Sequence, residues 1–215
     1  VFSRLDEADL KAVDLHQGLD SVLMLLQHRL VLQESNPRII VHRQFSSLPA
    51  VLCYPRDINQ VFLNILSNAL DALHHCLSDR PSRQLTAIAS AQTPGTIAPP
   101  PLDIPPAVEK PADWTPQLWL TTELIIDEGR AWAVIHIRDN GCGIPETHLP
   151  HIFEPFFTTK PVGQGAGLGL ANGYQTIVDK HNGRLTCESH WGEGTTITLA
   201  LPVMRTQAPH CAYRQ

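Results

Sequence analysis

The sequence predicts an α/β two-layer sandwich, with a mixed and largely antiparallel sheet packed on helices. Three observations carry this. Apolar residues recur at helical spacing over 16–32 and again over 58–77. Two pairs of strand-like segments, 117–127 with 130–139 and 184–191 with 195–202, are each joined by a short glycine-containing turn. The elements follow in the order helix, strand, helix, hairpin, glycine-rich segment, helix, hairpin, a pattern that segregates into layers.

Each element has its own signal. Residues 16–32 place apolar side chains at 19, 22, 23, 25, 26 and 30. "RIIVHRQF" (38–45) reads as a strand, and "LPAVLCYPRD" (48–57) as a turn ending where Asp57 or its neighbours can start a helix. The second helix, 58–77, is strongly apolar. Gly129 marks the turn of the first hairpin, and Gly192-Glu193-Gly194 that of the last. Between them, 170–181 reads as a helix stopped by Asn182-Gly183.

The proline-rich stretch 79–116 breaks this pattern, with eight prolines between 94 and 116 and few large apolar residues. Such a stretch buries too little apolar surface to offset its ordering entropy. It reads as an insertion loop, a spacer or a polyproline ligand for a partner. Residues 1–10 read as the end of a linker, 11–204 as one domain, and 205–215 as a polar tail.

Composition narrows the function. The 215 residues carry a formal charge of −5, with 43% hydrophobic content. No long basic run favours nucleic acid or an anionic membrane, and no apolar run is long enough to span a bilayer. The five cysteines, at 53, 76, 142, 187 and 211, form no CxxC pair. Their odd number fits a reducing, cytoplasmic setting. His74, His75 and Cys76, or His148 and His151, make no complete four-ligand metal pattern.

Four stretches carry chemistry. Asn64 and Asn68, at i and i+4, share one helix face. They form either a polar stripe or an oxygen donor set for a hard cation such as Mg²⁺. Asp139 ends a strand and opens "DNGCGIP", which is either an ordinary turn or a fixed carboxylate acceptor beside backbone that can approach a flat ring. "HIFEPFFTTK" (151–160) offers three phenylalanines as anchors and a lysine at 160. "GQGAGLGL" (163–170) lacks the GxxxxGK[ST] and GxGxxG spacings, yet it ends where a helix begins and its free N–H groups can face a phosphate.

In this order, with "GEGTT" (192–196) after them, the stretches resemble the GHKL ATP-binding superfamily. More narrowly, they resemble the catalytic, ATP-binding domain of two-component sensor histidine kinases. The resemblance covers residues 11–202 apart from the insertion. It implies a Bergerat-type sandwich binding ATP and Mg²⁺. Asn68 matches the Mg²⁺ ligand and Asn64 the earlier asparagine of the same box. Asp139 matches the acceptor for the adenine amine, with Gly141, Gly143 and Ile144 shaping its pocket and Thr195 nearby. Phe153 and Phe156 match the lid, and Lys160 a phosphate contact. Gly163, Gly165, Gly167, Leu168, Gly169 and Leu170 match the phosphate-side glycine box.

Related hydrolytic ATPases resemble each other in carrying Glu at the position of Asn64. An amide cannot take a proton from water at neutral pH. Asn64 therefore favours a phosphoryl donor, with Asn64, Asn68 and Lys160 as its catalytic set, over a free-standing ATPase or a nucleotide-sensing module. The resemblance also implies two partners: a histidine-bearing hairpin of a parent kinase and a downstream response regulator. His16 and His28 lack the acidic residue that follows the family's acceptor histidine. The chain therefore reads as a catalytic domain from a longer kinase.

Overall fold

The computed structural model describes residues 10–30, 39–78, 108–111, 113–160 and 165–203. The strands are β1 (Lys11–Val13), β2 (Ile40–Phe45), β3 (Val51–Cys53), β4 (Gln117–Asp127), β5 (Arg130–Asp139), β6 (Arg184–His190) and β7 (Gly194–Val203). The helices are α1 (Leu15–Leu25), α2 (Gln27–Leu30), α3 (Pro55–Ser78) and α4 (Gly169–Tyr174). One five-stranded sheet has the order β2-β4-β5-β7-β6; β2 and β4 run parallel, and the other neighbours are antiparallel.

Helix α3 organises the core. Pro55 opens it with a preset φ, and Asp57 complements the dipole of its first turn. Its residues Phe62, Ile65, Leu66 and Leu73 are buried with Leu15 and Leu19 of α1. A Cβ on Gly18 would lie 2.6 Å from Asn59 Oδ1 and 3.4 Å from the Phe62 ring, so this glycine lets α1 approach α3. The same core takes in Leu118, Leu120, Ile135, Ile137, Leu199 and Leu201 from the sheet. Trp132, Val134 and Ala200 form a separate cluster. Strand periodicity explains the split: 133, 135 and 137 face the helices, and 132 and 134 face away. The period carries one step further, to Asp139, and places it on the helix-facing side.

Several expectations change in detail. The helix expected over 16–32 loses helical geometry at Leu26 (φ −88°, ψ 4°), which separates α1 from α2. Its last two residues, like residue 38 of the expected strand, lie outside the described residues. The turn expected over 48–57 contains β3, which pairs with β1 from Lys11↔Cys53 to Val13↔Val51. After α4 the chain widens into π-helical turns over Gln175–Lys180. Gly183 N donates to Ile177 O at 2.8 Å, closing that end.

Candidate functional site

The candidate residues gather around the helix-facing end of β5 and one polar stripe of α3. At the closed end, Asp139 is 4% exposed and pairs across the sheet with Leu118 and Thr195. Its Oδ1 accepts from Gly141 N at 2.8 Å. Burial pushes its carboxyl up to about 6, against the pull of backbone bonds from Gly141 and Thr195 and the charges of Lys110 and Arg138.

The glycines here have no room for side chains. A Cβ on Gly141 would sit 2.9 Å from Ala72 Cβ, so the loop lies directly on α3. Gly143 has φ +74°, and its Cβ would come within 2.1 Å of His190 O. Ile144 N donates to Ser189 Oγ at 2.8 Å. That hydroxyl in turn reaches Gly194 O at 2.8 Å and Thr195 Oγ1 at 2.9 Å. The loop after β5 is thereby tied to the β6–β7 turn.

A further tie comes from the end of the proline-rich stretch. Lys110 Nζ donates to Gly141 O at 2.8 Å and Gly192 O at 2.7 Å, and lies over the Trp114 ring. Lys110, near the end of the stretch that reads as an insertion loop, thus reaches the site. Two carbonyls converging on one ammonium, with Trp114 packed against the core, hold this end of the segment in place.

At the open end, Asn64 and Asn68 stand on the α3 stripe. Asn64 Nδ2 donates to Gly169 O at 3.1 Å, and Gln60 Nε2 donates to Asn64 Oδ1 at 3.0 Å. Lys160 Nζ donates to Asn68 Oδ1 at 3.2 Å and to Asp71 Oδ2 at 2.5 Å. Asp71 Oδ1 accepts from Arg29. Burial alone would raise the Asp71 carboxyl, but the bonds to Lys160 and Arg29 outweigh it and hold the group below its ordinary range. Lys160 also lies across Gly165, whose Cβ would meet Lys160 Cδ at 3.1 Å.

The phenylalanines divide. Phe153 packs against the core and on Tyr174, with centroids 5.3 Å apart, and Phe157 meets the His148 ring edge-on. Phe156, expected as an anchor, is 74% exposed. Its φ of 69° turns it outward, and its N donates to Gly167 O at 2.9 Å. A Cβ on Gly167 (φ +66°) would lie 2.5 Å from the Phe156 carbonyl carbon, so the backbone, not the ring, makes this contact. Leu168 caps α4, and Gly169 and Leu170 begin it, with Leu170 against the core. Gly163 lies outside the described residues.

Sequence reasoning overlooked Lys110, Ser189, Arg29 and Asp71. Only Asp71 left a legible signal, three positions beyond Asn68 on the same helix face.

The family described as "Histidine kinase-, DNA gyrase B-, and HSP90-like ATPase" matches residues 53–205, a span that holds both ends of this site. The chain belongs to this family. Among relatives, it is 32% identical over 193 residues to the sensory histidine kinase/phosphatase NtrB of Rhizobium leguminosarum bv. phaseoli, covering 90% of this chain and 41% of that one. It is 48% identical over 71 residues to the sensor kinase CckA of Brucella abortus (strain 2308), covering 33% of this chain and 7% of that one. The chain thus spans less than half the length of these curated relatives. The catalytic domain of the histidine kinase ThkA has the same fold, with a TM-score of 0.60 at 19% identity over 90% of this chain and 95% of that one. The full-length ShkA structure in complex with AMPPNP shares it too, at TM-score 0.59 and 22% identity over 91% of this chain and 31% of that one. Among the described residues, no helix is long and apolar enough to cross a membrane.

Proposed function

We propose that this family member is the ATP-binding catalytic domain of a two-component sensor histidine kinase. It holds ATP for transfer of the γ-phosphoryl group to a histidine on a separate dimerisation hairpin of a parent kinase, which then serves a response regulator. The observation that carries the choice of donor over hydrolase is Asn64. Both ends of its amide are engaged, the oxygen by Gln60 and the nitrogen by the Gly169 carbonyl. A group so placed orients the start of α4 and removes no proton from water.

The other residues divide the work. The buried Asp139 carboxylate accepts from the exocyclic amine of adenine, and Gly141, Gly143, Ile144 and Thr195 shape the slot around the ring. Gly165, Gly167 and Gly169 allow close backbone approach on the phosphate side, with Leu168 and Leu170 setting α4 beneath them. Lys160 supplies a positive charge to the phosphates. Asn68 fits Mg²⁺, because its Oδ1 already bonds a compact cation, the Lys160 ammonium. When bound, Mg²⁺ neutralises phosphate charge, which together with positioning is most of what phosphoryl transfer requires. His16 is packed, its Nε2 2.9 Å from Thr122 Oγ1 and its ring stacked on Phe45. That supports an acceptor histidine elsewhere.

The test is calorimetry of the 215-residue chain with ATP and Mg²⁺, with phosphate release followed in the same samples. Binding without turnover is the expected result. Supplying the hairpin of the parent kinase should then produce an acid-labile phosphohistidine. Steady phosphate release from the isolated chain would instead make it a hydrolase.

A further inference from the structure

Asn68 and Asp71 lie three positions apart on α3, so their side chains stand side by side. Asn68 Oδ1 and Asp71 Oδ2 converge on one atom, Lys160 Nζ, at 3.2 and 2.5 Å. An amide oxygen and a carboxylate oxygen are hard donors of the kind that Mg²⁺ takes. The atom they already hold is itself a compact cation.

The Asp71 carboxylate serves two cations. Its Oδ1 belongs to Arg29 of α2 and its Oδ2 to Lys160, at the end of the phenylalanine segment. Arg29 is anchored from behind, since its carbonyl oxygen lies 3.0 Å from His74 Nε2 on α3. When Lys160 leaves, Asp71 keeps the guanidinium, and no partly buried carboxylate is left without a counter-charge. The side chains of Lys160 and Asp71 are 36% and 37% exposed, so water and ions reach the point where they meet.

We propose that Asn68 and Asp71 form a two-oxygen cation seat, filled by the Lys160 ammonium in the nucleotide-free domain and yielded to a nucleotide-bound divalent cation when Lys160 turns to the phosphates. Asp71 is then a positioning residue for the reaction. It holds Lys160 beside Asn68 before nucleotide arrives, and afterwards presents a carboxylate to the incoming cation or its water shell. The inference rests on the ATP-site reading above and adds to it a second oxygen donor and a competitor for the seat. One consequence is that the lysine and the divalent ion exclude each other. The metal alone is therefore held poorly, and the metal–nucleotide pair is held well because the phosphates draw the lysine away.

Calorimetry on the 215-residue chain tests this, with ATP titrated in Mg²⁺ and again in EDTA, and AMP as a control for the base pocket. Asp71→Asn is expected to cut the Mg²⁺-dependent gain in ATP affinity about fivefold or more, and Asp71→Glu to restore most of it. AMP affinity should not move. In the nucleotide-free chain, acylation of Lys160 followed by mass spectrometry should run about threefold faster in Asp71→Asn, because the amine has lost its ion pair. A second variant guards against misfolding. Lys160→Gln empties the seat, and the nucleotide-free chain should then bind Mn²⁺ more tightly than wild type, as read by depletion of the free-ion paramagnetic resonance signal. An unchanged Mg²⁺ gain in Asp71→Asn, or unchanged Mn²⁺ binding in Lys160→Gln, overturns the shared seat. Unchanged acylation overturns the lysine's place in it. If the wild-type chain binds ATP in neither Mg²⁺ nor EDTA, the ATP-site reading itself fails.

Discussion

The two ends of the site are built on different principles. At the closed end tight backbone packing sets the shape: Asp139 is buried at the last step of β5, side chains such as Ser189 and Lys110 tie neighbouring loops together, and the Gly143 and Gly194 positions leave no volume for a Cβ. At the open end side chains do the work. Asn68, Asp71, Lys160 and Arg29 exchange charge-assisted bonds across partly exposed space. On the proposed ATP-site reading, a flat base of constant shape suits the preformed slot, whereas a triphosphate that enters, reacts and leaves suits contacts that can be remade. The glycine positions of the closed end should therefore tolerate almost no side chain, and the open end should change its ligand dependence before it changes its stability.

The largest expected effect lies in a glycine pair. Gly143→Ala forces a Cβ to within 2.1 Å of a carbonyl at positive φ and should destabilise the domain by about 3 kcal/mol or more. Gly169→Ala meets only ordinary contact, 3.5 Å from Asn64 Cγ, and should shift stability by less than about 1 kcal/mol in either direction. Thermal melts of the two variants compare the ends directly, and equal losses would erase the distinction between them.

Next is Asp139→Asn, which on the proposed ATP-site reading should weaken ATP binding by about 100-fold or more, because an acceptor assigned to the adenine amine is replaced by a group that also donates. Asn68→Ala should instead act mainly on the Mg²⁺-dependent part, by about tenfold, and leave AMP binding alone. Calorimetry with ATP and AMP, with and without Mg²⁺, separates the two.

A smaller effect follows from the raised Asp139 carboxyl. Its folded-state value of about 6 lies above the ordinary 3.8, so the folded state binds the proton more tightly. The stability this group contributes is full below about pH 4 and is lost as pH rises through 6. Lowering pH from 7 to 5 should therefore stabilise the wild type by about 1 kcal/mol relative to Asp139→Asn. ATP affinity should fall over the same window, as the acceptor is protonated. Parallel rather than opposed trends in melting temperature and affinity would mean that Asp139 does not meet the base.

The smallest effect is expected from Lys110→Met. Loss of the bonds to Gly141 O and Gly192 O should weaken nucleotide binding several-fold, about 1 kcal/mol, without altering its Mg²⁺ dependence. An altered Mg²⁺ dependence would couple the two ends more tightly than the geometry suggests.

Much of this was legible in the chain, for local reasons. The strand-like run 130–139, closed by its hairpin turn, placed Asp139 at a strand end, and the helical period of 58–77 put Asn64 and Asn68 on one face. Both hairpins and the stop at Asn182-Gly183 announced themselves through turn chemistry. These features depend on neighbours a few residues away. By contrast, β1 and β3 are three residues each, too short for any period to register. They exist only because Lys11–Val13 meets Val51–Cys53. The outward turn of Phe156 was equally hidden, since its cause is the backbone of Gly167, eleven residues later.

The elements, the order of the motifs and the shared face of Asn64 and Asn68 follow from local residue patterns, because backbone periodicity and turn preference are short-range properties. Which charges meet depends on long-range packing. Arg29, Asp71 and Lys160 come from three segments, and Lys110 reaches glycines 31 and 82 positions away. Ion pairs have no period and little directional preference along the chain, so their partners are chosen by packing of the core that brings those segments together.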